Sequence, residues 1–304
     1  REGDVGFEAE FGLDDQELQY FSRVRFMAMG TSLHAAYLGQ QMLAELARLP
    51  GETLNASEFL YSAELEEGDA LTVILSQSGE TADSLRAMRE VQRRGGRVLG
   101  ICNVMGSTLA READHLILTH CGPEVGVAST KAFFGQLTAL YLLAIRIGRA
   151  RRVLAPSRGR ELLHDLRALR PKLDVLFNDA SRQAVSAAAE YLAGVQSCLF
   201  LGRGMNFPIA LEGALKLKEI SYIHAEGYPV GEMKHGPIAL IDEQFPVIAL
   251  ATPGRTYEKM ISNMEEVRAR NGKVVAIGVQ GDEKVATQAD FVLSVPEAPE
   301  LLAP

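Results

Sequence analysis

The sequence has only three cysteines, Cys102, Cys121 and Cys198. They are odd in number and too widely spaced for metal-type pairing, so they read as reduced thiols in or near core strands rather than a disulfide framework. None is a sensible catalytic nucleophile, and no metal site is expected. No apolar run approaches the roughly eighteen residues that a membrane-crossing helix needs. The polar, acidic start Arg1-Glu2-Gly3-Asp4 lacks the layout of a secretory leader. No membrane association and a cytoplasmic location are therefore expected. Basic excess is missing too: Lys and Arg total 31 against 39 acids, a net charge of −8. That balance argues against a nucleic-acid or anionic-membrane partner, and no helix-turn-helix segment is evident. The one basic cluster, Arg146, Arg149, Arg151 and Arg152, reads as a helix end or linker.

What is present is a chain of 304 residues with 47% apolar composition, enough for about two domains with real cores. Short apolar runs alternate with longer amphipathic patterns, which argues for parallel sheets covered on both faces. The first half has Phe26 to Met29, Leu71 to Leu75, Val98 to Cys102 and Leu116 to Thr119; the second has Cys198 to Leu201, Val247 to Ala251, Val274 to Ile277 and Phe291 to Val295. Four landmarks recur at a near-constant offset. Gly30 to Gly202 is 172, Leu75 to Leu250 is 175, Ile101 to Ile277 is 176, and the Ala-Asp pair at 113 returns at 289, again 176. A duplicated α/β unit explains this register. The expected division is 1–150, a linker and lead-in helix over 151–183 carrying Pro156, Gly159 and Pro171, and 184–304.

The most informative stretch is Ser76-Gln77-Ser78-Gly79-Glu80-Thr81, between an apolar strand and a helical pattern starting near Ala82. A helix start offers unpaired N–H groups and a positive dipole end, to which Ser76, Ser78 and Thr81 add hydroxyl donors. No Lys or Arg lies inside, unlike a Walker-type loop, so the cradle suits one phosphomonoester such as a sugar phosphate. Simple helix capping is the competing reading. The second copy has Ala251-Thr252-Pro253-Gly254 instead, so one phosphate site per chain is expected. Two further hydroxyl-bearing loops, Gly30-Thr31-Ser32 and Val127-Ala128-Ser129-Thr130-Lys131, fall at the same sheet edge.

Candidate chemistry lies in the helical pattern Ile209 to Ile220. At about 100° per residue, Glu212, Lys216 and Glu219 share an arc of about 60°, bordered by Ile209, Leu215 and Ile220. Such a set is either an exposed ion-pair ladder or a partly buried proton-transfer site. Lys234-His235-Gly236-Pro237 places a histidine in a loop, where it could act as acid or base near neutral pH.

Together with Gly126 to Phe133 and Leu211 to His224, these motifs resemble the isomerase domains of the glutamine–fructose-6-phosphate aminotransferases, also called glucosamine-6-phosphate synthases. The likeness covers essentially the whole chain. It implies an α/β fold of two tandem flavodoxin-like sugar isomerase (SIS) subdomains, a homodimer, and a site between subdomains for fructose 6-phosphate, glucosamine 6-phosphate or glucose 6-phosphate, with no cofactor. By the same resemblance, Ser76, Gln77, Ser78 and Thr81 would hold the phosphate, and Ser32, Val127 and Ser129 would help position the sugar. Glu219 would shuttle a proton between C1 and C2, with Lys216 beside it and Glu212 as an acidic neighbour. His235 would open the ring from across the dimer, so that each active site is shared. The family's amino-terminal glutaminase domain and its carboxyl-terminal lysine-bearing tail find no match. An isomerase domain that binds phosphosugar but turns over weakly or not at all without that tail is the resulting expectation. A non-catalytic phosphosugar sensor, or a related deglycase or isomerase, is the alternative.

Overall fold

Parallel strands buried on both faces read as near-continuous apolar runs, and the central strand of the first half does so except at Thr72 and Ser76. In the computed structural model, which describes residues 11–62 and 68–304, Ala70–Ser76 is buried throughout. The acidic start at Arg1 to Asp4 lies outside the described residues. The chain divides into two compact units, 1–163 and 164–304.

In unit 1, strands β1 (Arg23–Ala28), β2 (Gly51–Asn55), β3 (Ala70–Ser76), β4 (Arg97–Cys102) and β5 (His115–Leu118) form one sheet in the order β2-β1-β3-β4-β5, parallel throughout. Side chains alternate across it. Met27, Ile74, Val98 and Cys102 pack with Leu85, Met88 and Val91 of one covering helix and Leu109 of another. Two long helices, Gly30–Ala47 and Lys131–Ala150, pack against each other. Their approach depends on Gly39, where an added Cβ would lie 2.8 Å from Leu140 Cδ2. The second of these helices ends at the basic cluster. Arg149 donates to the Leu154 carbonyl and Arg151 to the Phe21 carbonyl, both at 2.9 Å, while buried Arg146 pairs with Asp15. The cluster thus satisfies carbonyls at a helix end.

Unit 2 repeats the plan with β6 (Ser197–Gly202), β7 (His224–Pro229), β8 (Val247–Ala251), β9 (Val274–Val279) and β10 (Phe291–Val295), in the order β10-β9-β8-β6-β7. Read from the other edge, each unit's strands run second, first, third, fourth, fifth, the flavodoxin-like order. Its two cores follow strand alternation. Leu199, Leu201, Val247, Ala249 and Ala251 face one side, and Cys198, Phe200, Ile248 and Leu250 the other. The duplication extends to single hydrogen bonds: Asp114 Oδ2 accepts from the Val98 N–H at 2.8 Å, and Asp290 Oδ2 accepts from the Val274 N–H at 2.9 Å.

All eight expected strands occur, and the two-copy α/β architecture is borne out. Strands β2 and β7 were not expected. Both are edge strands, with polar or turn-favouring sequences, Gly-Glu-Thr-Leu-Asn and His-Ala-Glu-Gly-Tyr-Pro, that carry no continuous apolar signal. Within the stretch expected as linker and lead-in helix, Pro156 and Pro171 both lie inside one helix, Pro156–Lys172; Pro156 occupies its start, where a missing N–H costs nothing.

Candidate functional site

In an open parallel sheet, ligands sit beyond the carboxyl ends of the strands where the strand order reverses. In unit 1 that point falls between β1 and β3. A recess of about 160 Å³ opens there, lined by Ser32 from the first turn of the helix Gly30–Ala47 rather than from a loop, by Ser76, Gln77, Ser78 and Thr81 after β3, and by Ser129. Gly79 shapes it. Its φ is +68°, and an added Cβ would lie 2.1 Å from Ser107 Oγ.

The hydroxyls are oriented as donors. The Gly79 N–H donates to Ser76 Oγ at 3.1 Å and the Glu80 N–H to Ser78 Oγ at 3.2 Å. With a backbone donor on each oxygen, the serine protons are left to point elsewhere. Ser76 Oγ and Thr81 Oγ1 are 3.1 Å apart, so whichever donates to the other, one proton of the pair remains for a ligand. The helix Ala82–Arg93 starts just behind, with Thr81 making no side-chain cap bond. That observation weighs against simple capping. Glu80 accepts from the Thr108 N–H at 2.7 Å; this backbone bond, with the Thr108 hydroxyl, holds its carboxyl below the usual range.

One helix residue and one loop residue set the other hydroxyls. Gln136 Nε2 donates to Ser32 Oγ at 2.8 Å within the buried interior. Glu124 accepts from Ser129 Oγ at 3.3 Å and from the Ala132 N–H at 3.0 Å, capping the helix Lys131–Ala150. Burial pushes the Glu124 carboxyl up, but the Ala132 and Thr130 N–H groups and the Ser129 hydroxyl outweigh it and hold it below the usual range. Ser129 therefore presents lone pairs, suited to a sugar hydroxyl, whereas Ser76 and Ser78 present protons, suited to an anion. Val127 is 93% exposed and is not part of the recess lining.

In unit 2 the helix Asn206–Ser221 brings Glu212, Lys216 and Glu219 together. Lys216 Nζ is 3.4 Å from Glu212 Oε1 and 2.7 Å from Glu219 Oε2. The Glu219 contact is an ion pair without hydrogen-bond geometry at that buried oxygen. Glu212 is 7% exposed, and the other two side chains 18% and 29%, so the trio is more buried than a surface ladder. Ile220, expected to border it, is 69% exposed. His235 is exposed in the turn Val230–His235, and neighbouring Lys234 pairs with Glu266 at 2.8 Å. The structure does not bring His235 to Glu219. The carboxylate precedes the start of β7 and the imidazole follows its end, and six residues at about 3.3 Å each make that strand about 20 Å long.

At the corresponding point of unit 2, between β6 and β8, two buried side chains bond each other. Asn206 Nδ2 donates to Thr252 Oγ1 at 2.8 Å, both residues buried. Among the described residues no group of three or more His, Cys, Asp or Glu could hold a metal ion, and no helix is long and apolar enough to cross a membrane.

Sequence reasoning missed Gln136 and Ser84. Gln136 lies in an apolar stripe with Phe133 and Leu140, a spacing that marks a buried polar group. Ser84 follows Thr81 by three positions, on the same helix face, and lines the recess.

Residues 18–146 and 191–304 match the SIS domain. Over its whole length the chain is 49% identical to half of a glutamine–fructose-6-phosphate aminotransferase [isomerizing] from Thermus thermophilus, and 46% identical to 48% of one from Methanosarcina acetivorans. It thus spans about half the length of the curated relatives it matches. All of the chain superposes on 85% of the C-terminal domain of glucosamine-fructose-6-phosphate aminotransferase from Francisella tularensis, with a TM-score of 0.93 and 34% identity. With two flavodoxin-like units and one hydroxyl-lined recess, the chain belongs to the SIS domain family, in the group represented by the C-terminal domains of these aminotransferases.

Proposed function

We propose that this chain is a phosphosugar isomerase domain that binds fructose 6-phosphate, glucosamine 6-phosphate or glucose 6-phosphate and moves a proton between C1 and C2, in amino-sugar biosynthesis in the cytoplasm. The observation that carries the reading is the recess at the β1/β3 switch point, where the Ser76 and Ser78 oxygens accept from backbone N–H groups and leave hydroxyl protons for a bound anion.

Ser76, Gln77, Ser78 and Thr81 anchor the phosphate, and Ser32 and Ser129, with Val127 nearby, position the sugar. Glu219 takes a proton from C1 of the open-chain ketose. The C–H electron pair becomes the C1–C2 double bond while the C2=O π pair moves to O2, which takes a proton from solvent to complete the enediol; return of the carbon-bound proton to C2, with loss of the O1 proton to solvent as the C1 carbonyl forms, gives the aldose. With an imine in place of the C2 carbonyl the same shift runs through an enolamine and yields the 2-amino aldose. Lys216, paired with Glu219, and Glu212 beside it keep the carboxylate placed. His235 moves the proton that opens the sugar ring. Because Glu219 and His235 stand at opposite ends of β7, one chain does not pair them, which supports a homodimer whose partner supplies the imidazole.

The test is nuclear magnetic resonance of the protein with fructose 6-phosphate in deuterated buffer. Deuterium entry at C1 or C2 that disappears in Glu219→Gln is the expected result. Binding without exchange would leave a phosphosugar sensor, and exchange that survives in Glu219→Gln would remove that carboxylate from the chemistry.

A further inference from the structure

Ser84 is buried at 1% exposure, and its Oγ has no hydrogen-bond partner among the described residues. An unpaired buried hydroxyl is costly, and natural structures rarely keep one without a use. Ser84 is the third residue of the helix Ala82–Arg93 and lines the same recess as Ser76, Ser78 and Thr81. We infer that Ser84 is a further phosphate ligand, donating its hydroxyl proton to a phosphate oxygen from the helix side of the recess. This rests on the proposed reading of the recess as a phosphomonoester site.

Three features favour phosphate over a sugar hydroxyl as its partner. Ser84 sits one helical step behind Thr81, with the positive end of a helix dipole behind the bound group. The cradle Ser76 to Thr81 contains no Lys or Arg, so an anion there gains most from each additional neutral donor. The Ser129 hydroxyl, committed to Glu124, already offers the sugar an acceptor from the other loop. The hydroxyl of Ser84 is thus held ready before the ligand arrives, and its missing partner is supplied by binding.

This makes an unusual pair of expectations for Ser84→Ala. The variant deletes an unsatisfied buried polar group, so the ligand-free protein should melt at a higher temperature than wild type. It also loses a hydrogen bond to a charged group, so its dissociation constants for inorganic phosphate and for fructose 6-phosphate should both rise by about tenfold or more, and by the same factor. Calorimetric titration with each probe, beside melting curves without ligand, reads both. Ser78→Ala serves as the control for the site itself. Weaker phosphate binding in Ser78→Ala with unchanged binding in Ser84→Ala would overturn the role of Ser84 while leaving the recess intact. Unchanged binding in both variants would overturn the phosphate reading of the recess. Loss for fructose 6-phosphate but not for inorganic phosphate would reassign Ser84 to the sugar, and a lower melting temperature in Ser84→Ala would show that its hydroxyl already has a structural partner.

Discussion

Replacing Gly79 with alanine tests whether the cradle's shape is imposed by backbone conformation and close packing together. At φ +68° the backbone is left-handed, which costs a residue with a Cβ about 1–2 kcal/mol. The new methyl would lie 2.1 Å from Ser107 Oγ and 2.5 Å from Ser107 Cβ, so Ser107 has to move. Overpacking of this kind costs about 1–3 kcal/mol. The two costs sum to about 2–5 kcal/mol, a large share of the 5–15 kcal/mol that holds a typical domain. Ser107 also caps the short helix Thr108–Glu112, accepting from the Ala110 N–H at 3.3 Å, so its displacement loosens that turn as well. The double variant Gly79→Ala/Ser107→Gly separates the two costs. Glycine relieves the clash and, at an N-cap, costs only a few tenths of a kcal/mol, so about 1–3 kcal/mol should return while the conformational part remains. Denaturant titration measures each step, and phosphate titration shows whether affinity follows. A Gly79→Ala protein as stable as wild type, with unchanged phosphate affinity, would refute the account.

Gln136→Leu should leave the fold standing yet weaken fructose 6-phosphate binding by about tenfold, because Ser32 loses the donor that turns its own proton outward; equal binding in calorimetry would contradict this. Affinity for fructose 6-phosphate should climb as pH rises through about 6, where a phosphomonoester becomes a dianion and a donor-lined cradle gains a stronger acceptor; a falling profile would oppose the donor assignment. Burial pushes the Asp290 carboxyl up, but the Val274 N–H and Lys273 outweigh it and hold it below its usual range. Its stabilising contribution is therefore full above about pH 4 and lost as pH falls through the folded-state value. Asp290→Asn should cost about 1–3 kcal/mol at pH 7 and flatten the acid limb of a stability–pH curve measured by denaturation. Mixing Glu219→Gln and His235→Ala chains after reversible dissociation should restore exchange at about a quarter of sites if each site is shared across a two-fold dimer, and at none if both groups act in one chain.

Much of this was legible because the core strands speak plainly. A run such as Leu71 to Leu75, followed by Ser-Gln-Ser-Gly, signals both a buried parallel strand and the turn at its end. The edge strands were silent, since β2 and β7 owe their conformation to one neighbour rather than to their own side chains. Among site residues, those with hydroxyls in the loops were readable from type and position. Ser84 was not, because a lone polar residue inside an amphipathic helix looks the same whether it faces solvent or a recess, whereas Gln136 was overlooked although its place in the stripe of Phe133 and Leu140 signals burial. The separation of Glu219 from His235 emerges only once β7 is known to lie between them, since their sixteen-residue spacing in sequence (235 minus 219) carries no direction.

The Asn206–Thr252 pair carries a consequence for how the two copies respond to metabolite supply. In unit 2 the crevice polar groups answer each other, so that copy is self-sufficient. Unit 1 leaves Ser84 Oγ and hydroxyl protons of the Ser76 to Thr81 turn without protein partners among the described residues, so an anion bound there would add to its cohesion. A cell starved of phosphosugar would then hold a molecule of uneven firmness. Its first copy would open locally more often around the Ser76 to Thr81 turn, while the second stayed closed. The duplication thus leaves one copy whose turn a bound anion would complete and one whose side chains complete each other.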